Sequence, residues 1–190
     1  AGPGIELKIA ADEEIMVRGK GFFSGYYKND EATQESFDAD GWLHTGDIGF
    51  LDDDGYLTIQ GRKKDTFKSA KGKFVAPVPI EKKLFEYSRV EMMCLIGSGL
   101  PAPILLVVPH DFPHFDRDRY ERTTTRVVTR MNKTLESHEQ IKGVLMIKDP
   151  WSIENDILTP TLKIKRHVLE KKYHDTGASW PKGQLVVWEE

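Results

Sequence analysis

Apolar and polar positions alternate over short stretches early in the chain. Later they fall into longer apolar runs and helical spacings. Leu7–Ile9 and Glu14–Arg18 (EIMVR) predict two short strands around a turn at Ala11-Asp12. GKGFFSGYYKND is rich in Gly and aromatics and reads as an irregular loop. DEATQESF predicts a short helix with Asp30 as N-cap and Thr33 and Phe37 four apart. Asp38-Ala39-Asp40-Gly41 turns the chain. Trp42–Thr45 and Gly49–Leu51 are strand-like, with Thr45-Gly46-Asp47 as a turn between them. Asp52-Asp53-Asp54-Gly55 is a hairpin signal, and Tyr56–Gln60 alternates as the return strand. Residues 1–61 therefore read as all-β around one short helix.

After Gly61 the pattern changes. Lys and Arg are dense from 62 to 73, and a domain junction near 61–65 fits that shift. Thr66–Ser69 and Lys73–Val75 flank Ala70-Lys71-Gly72, a hairpin whose Gly permits positive φ. Pro77 and Pro79 precede a helix over Ile80–Tyr87. Val90–Gly97 and Ile104–Val108 are buried-strand runs split by GSGLPAP. Asp116–His138 predicts a long amphipathic helix with one face on a sheet. Val144–Lys148 is another strand, and Ile164–Tyr173 a closing basic helix. This second part is α+β, a small sheet with two or three helices. In the weakly patterned segment 174–190, GASWPKG is loop and QLVVW could add an edge strand.

Composition narrows the class. The chain has 190 residues, 39% hydrophobic and 30% charged, which marks a globular rather than a disordered protein. A net charge of −3 argues against a general nucleic-acid binder. The one cysteine, Cys94, lies in the apolar run VEMMCLIG and reads as a core thiol, not a nucleophile. With no disulfide framework, a reducing, cytoplasmic setting is expected, with peripheral association at a membrane left open. No apolar run approaches the roughly 18 residues of a membrane helix, and no signal-peptide pattern is seen. The chain begins Ala1-Gly2-Pro3-Gly4, without an initiator Met and already inside a turn, which reads as a piece of a longer protein.

The residues able to do chemistry cluster around Gly41–Asp65 and recur once far downstream. Asp47 and Arg62 at strand ends could hold a sugar diol, the carboxylate accepting hydroxyl protons and the guanidinium offering a donor fork. The competing reading of Asp47 is a turn residue that caps local amides. Asp52, Asp53 and Asp54 read as a solvated turn, with too few ligands for a metal. Arg62, Lys63, Lys64, Lys68, Lys71 and Lys73 form a basic cluster around the hairpin. It is either a solvated face or a site for nucleotide phosphates or a phosphorylated cofactor. Lys163 follows Pro160 on a loop, as surface decoration or as an ammonium delivered into a cleft. HExxH, Cys/His ligand spacing, GxGxxG and GxxxxGK[ST] are all missing, so no structural metal and no phosphate-cradling glycine loop are expected.

Four stretches in order, GWLHTGD, GRKKD, KSAKGKFVAPVPIE and ILTPTLKIKR, resemble the motifs of the adenylate-forming superfamily, and the likeness runs from Gly2 to about Tyr173. That superfamily includes acyl-CoA synthetases, luciferases and peptide-synthetase adenylation domains. FVAP before IE, and LTPTLK in place of a Ser-Gly-Lys ending, are similar to long-chain fatty-acyl-CoA synthetases. The resemblance implies that Asp47 and Arg62 bind the nucleotide ribose, that Lys64 is a hinge and that Lys163 catalyses adenylation. Lys71, Gly72 and Lys73 would line a CoA channel. Residues 1–61 would be the β-rich tail of a large N-terminal domain and 62–65 the hinge. Residues 66–173 would form a small mobile C-terminal domain with a short sheet flanked by helices, leaving 174–190 unassigned.

The implied reaction activates a fatty acid as acyl-AMP with ATP and Mg²⁺ and passes the acyl group to CoA. Its partners are those small molecules and the rest of the N-terminal domain, with no nucleic acid and no transmembrane segment. The phosphate loop, the adenine contact, the Mg²⁺ ligand and the acyl tunnel would all lie upstream, so the fragment alone is expected to be inactive. Alternatives are a ligase that loads a carrier-protein phosphopantetheine, or a non-catalytic adaptor that keeps the fold.

Overall fold

In the computed structural model, which describes residues 4–87, 90–110 and 116–190, the chain divides between Lys64 and Asp65 into two units. The expected opening turn rests largely on residues 1–3, outside the described residues.

The first unit is an antiparallel meander in the order β1-β2-β3-β4: Ile5–Ile9, Glu14–Gly19, Leu43–Leu51 and Leu57–Arg62. A short helix, α1 (Asp30–Ser36), interrupts the path between β2 and β3. Its N-cap is Asn29 rather than Asp30, because the Asn29 side chain accepts from the Ala32 amide at 3.0 Å. The core is small, built on Ile15, Val17 and Leu43 with Leu7, Ile9, Phe22 and Phe37 against them. Asp52 makes the β3–β4 turn. Its Oδ1 accepts from the Asp54 and Tyr56 amides at 3.1 and 2.8 Å, and Gly55 takes φ +79°.

Two of the expected boundaries shift. Thr45-Gly46-Asp47 is not a turn between strands but the middle of the continuous strand β3. Gly46 takes φ +70° there, and the ladder slips against β2 between Glu14 and Met16 and against β4 between Ile48 and Gly49. These are β-bulges, which bend a strand without ending it. The return strand β4 also runs on through Gly61 to Arg62.

The second unit opens with a hairpin, β5 (Phe67–Lys68) and β6 (Phe74–Val75), and the helix α2 (Pro77–Tyr87). The helix takes in both prolines in its first turn, where a missing N–H costs nothing. A four-stranded sheet follows in the order β10-β9-β8-β7: Val186–Trp188, Gly143–Met146, Ile104–Pro109 and Val90–Ile96. β7 and β8 are antiparallel, whereas β9 is parallel to both β8 and β10. Both faces are buried, so these strands are apolar without alternation. Cys94, Ile96, Ile104, Leu106 and Leu145 face one core with Trp151, Leu169, Tyr173 and Trp180. Met93, Leu95, Leu105, Val107 and Val144 face the other with Ile80, Leu84, Val128 and Met131.

Helix α3 covers only Arg117–Asn132, ending well before His138. Side chains at its end compete with the helical ladder. Thr134 Oγ1 donates to the Met131 carbonyl at 2.8 Å, and Asn132 clasps Ile141 through both its N–H and its C=O. Helix α4 spans Arg166–Ala178, later at both ends than expected. Segment 174–190 completes α4, buries Trp180 and supplies β10. Glu189 takes the Tyr173 hydroxyl at 2.8 Å and the Lys148 amide at 3.1 Å.

Gly143 opens β9 under the Trp180 ring, and a Cβ built on it would fall inside the indole. Trp180 is pinned by its Nε1–H donating to the Gln184 carbonyl at 2.8 Å, so the ring cannot step aside. Gly143→Ala is expected to lower the unfolding free energy by about 2 kcal/mol through overpacking. Urea titration reads this out, and an unchanged midpoint would refute it.

Candidate functional site

Hairpin geometry brings Asp47 and Arg62 together. They are register partners on β3 and β4, and Arg62 Nε lies 3.0 Å from Asp47 Oδ1. The pair is open to solvent, with the Arg62 side chain 66% exposed. Among the described residues, Asp47 Oδ2 and both Arg62 Nη groups meet no other hydrogen-bonding or charged side chain. An acceptor and a donor fork are thus presented side by side, an arrangement able to hydrogen-bond a vicinal diol.

Behind Asp47 lies a second layer that sequence reading missed. Glu14 is 3% exposed, and its carboxylate accepts from the Gly46 amide, His44 Nδ1 and Lys63 Nζ, each at 2.9 Å. Burial pushes this carboxyl up, but those hydrogen bonds outweigh it and hold Glu14 below its ordinary value. Lys63 also pairs with Asp12 at 2.6 Å, and these two acids raise its pKa. Lys63 therefore leaves the basic cluster to which sequence density assigned it. The available signal was a carboxylate opening the otherwise apolar run EIMV.

Lys64 lies exposed in a 3-10 turn, Lys63–Asp65. At the hairpin tip Lys71, Gly72 and Lys73 are exposed, and Gly72 adopts φ +75°. The Ser69 hydroxyl, buried beneath, accepts from the Lys73 amide at 3.3 Å. The hairpin is fastened to the β7–β8 turn by Ala70 N–H to Leu100 O and Gly99 N–H to Lys68 O, both 2.9 Å.

Lys163 sits on a tight loop closed by Thr159. The Thr159 amide donates to Lys163 O at 2.8 Å, and the Lys163 amide donates to Thr159 Oγ1 at 3.0 Å. Between them Leu162 takes φ +60°, a left-handed conformation unusual for a branched side chain. Lys163 is exposed, and its ammonium has no ion-pair partner among the described residues. Three residues on, Arg166 starts α4 in a nearly buried ion pair. Its guanidinium donates to Glu81 on α2 at 2.6 and 3.0 Å and to the Leu95 carbonyl at 2.5 Å. Burial works against the charged guanidinium, but the Glu81 carboxylate more than offsets it and raises the Arg166 pKa.

Cys94 is fully buried, and burial pushes its thiol far above the ordinary range. It serves as a core residue. Among the described residues no cluster of His, Cys, Asp and Glu could hold a metal. No helix among them is long and apolar enough to cross a membrane.

Residues 64–176 match the family described as the AMP-binding enzyme C-terminal domain. A long-chain-fatty-acid–CoA ligase of Mycobacterium tuberculosis, FadD15, is 33% identical over 90% of this chain and 31% of its own length. Long-chain-fatty-acid–CoA ligase 5 of Rattus norvegicus is 36% identical over 87% of this chain and 27% of its own length. The chain thus spans under a third of the curated relatives it matches. The crystal structure of ATP-bound MatB from Rhodopseudomonas palustris superimposes with TM-score 0.68 at 25% identity, over 93% of this chain and 35% of that one. The adenylation domain of a Mycobacterium chelonae carboxylate reductase gives TM-score 0.74 at 24% identity, over 92% of this chain and 30% of that one, a likeness of fold. With the family match over more than half its length, the chain belongs to the AMP-binding enzyme family and carries that family's C-terminal domain.

Proposed function

We propose that the chain is the C-terminal part of an ATP-dependent acyl-CoA synthetase that activates a long-chain fatty acid as acyl-AMP and transfers the acyl group to CoA. The observation that carries this is the 33–36% identity to long-chain-fatty-acid–CoA ligases along nearly the whole chain. The open Asp47–Arg62 pair supports it, because that pair suits the ribose diol of ATP or AMP.

In this reading a fatty carboxylate attacks the α-phosphorus of ATP and pyrophosphate leaves. Lys163 offsets the repulsion between the two anions. The CoA thiolate then attacks the acyl carbonyl and AMP leaves. Pivoting at Lys64 would withdraw the Lys163 loop and present the hairpin, with Lys71, Gly72 and Lys73 lining the thiol's path. The Mg²⁺ ligand is the one the family resemblance puts upstream of this chain. A mere adaptor would not need Asp47, Arg62 and Lys163 together, because packing requires none of the three.

The test is the choice of acceptor. Full-length protein, given ATP and a long-chain fatty acid, is expected to release AMP and form acyl-CoA when CoA is added. Thioester formed only on a phosphopantetheinylated carrier protein would replace CoA as the acceptor. No AMP release with any acid would reduce the chain to an adaptor.

A further inference from the structure

One buried carboxylate touches strand β3 and the turn that follows β4, one residue away from each partner of the Asp47–Arg62 pair. We infer that Glu14 is a positioning residue that sets the spacing of Asp47 and Arg62 for nucleotide binding. The inference rests on the proposed nucleotide role of that pair.

Glu14 Oε1 accepts from the Gly46 amide, immediately before Asp47. Its Oε2 accepts from Lys63 Nζ, immediately after Arg62, and from His44 Nδ1. An ionised carboxylate only accepts, so all three partners donate to it. The regular ladder is broken on both sides of this point, by the bulge between β2 and β3 and by the bulge between β3 and β4. Side-chain bonds therefore add to the positioning that the Asp47–Arg62 register pairing supplies next to these bulges. Thr45 adds to them. Its hydroxyl donates to the Ile15 carbonyl at 2.7 Å and accepts from the Asp47 amide at 3.1 Å. Asp12 steadies Lys63 from its other side.

The chemistry makes spacing matter. A ribose diol meets Asp47 and Arg62 at once, and a small displacement of either strand aligns one contact at the expense of the other. Glu14 is itself nearly sealed from solvent, so it acts through its neighbours and not on the ligand.

The experiment uses the full-length enzyme and compares Glu14→Gln, Lys63→Met and Asp47→Ala. Glu14→Gln keeps shape and an acceptor oxygen but removes the charge that holds Lys63. It is expected to raise the KM for ATP about tenfold, the usual worth of a charge-assisted hydrogen bond, with kcat little changed. Lys63→Met should shift KM in the same direction, and Lys63→Arg should restore it. A purely structural Glu14 would lower the melting temperature and the folded yield while leaving the KM of the folded fraction unaltered. If Glu14→Gln does not fold, Lys63→Met decides the question. A raised KM in Asp47→Ala alongside unaltered KM in Glu14→Gln and Lys63→Met would overturn the positioning role alone. An unaltered KM in Asp47→Ala would overturn the nucleotide reading beneath it.

Discussion

Under the proposed function, Lys163→Ala in the full-length protein is expected to slow acyl-adenylate formation about 10²–10³-fold, the usual cost of losing one preorganised charge at a reacting centre. Transfer from supplied acyl-AMP to CoA should continue at nearly the normal rate. Thr159 and Lys163 exchange backbone and hydroxyl hydrogen bonds, so the lysine's Cα is fixed while its side chain extends into solvent. No acid neutralises the ammonium among the described residues, so its full charge is available to an incoming polyanion. In the proposed reaction, charge build-up is severe only in the first half, where a carboxylate meets a triphosphate. Pyrophosphate exchange and thioester formation report the halves separately. Equal losses in both would end the assignment of Lys163 to adenylation.

The largest expected loss of stability comes from Arg166→Met. This removes the guanidinium from Glu81, and the two side chains are each only 16% exposed. Glu81 would keep the Leu95 amide at 2.6 Å but face a buried charge without a counterion. Breaking such a pair costs about 3–5 kcal/mol. The double variant Glu81→Leu/Arg166→Met should recover a large part of that loss, because it removes both charges together. Chemical denaturation of all three proteins gives the comparison. A loss below about 1 kcal/mol for Arg166→Met would show that solvent already screens the pair. The position of the pair also bears on function. Arg166 follows the Lys163 loop and Glu81 lies on the helix after the hairpin, so one ion pair joins the supports of both loops.

Much of this architecture could be read from local patterns. VEMMCLI and ILLVVP announced strands buried on both faces, and DDDG announced the hairpin that sets Asp47 opposite Arg62. The Gly72 turn followed from the need for positive φ. What escaped notice depends on distant partners. Glu14 looks like one more surface acid until the β2–β3 bulge brings Gly46 and His44 onto it and β4 delivers Lys63. Arg166 looks like part of the basic run KIKR, yet it lies largely buried between Glu81 and Leu95. The end of α3 depends on Asn132 finding Ile141, which no helical periodicity encodes. Strand β10 escaped firm assignment because VVW is too short to show a period, and only its parallel partner β9 defines it.

That last strand has a consequence for how the protein behaves in company. Without it, β9 would end the sheet as an open row of amides and carbonyls, an invitation to another chain. Three residues are enough to close it, and too few to offer a long edge of their own. Trp188 is held under the Arg117 guanidinium, and the strand runs straight into Glu189 and Glu190. The segment with the least legible pattern thus covers an edge that would otherwise lie open to pairing.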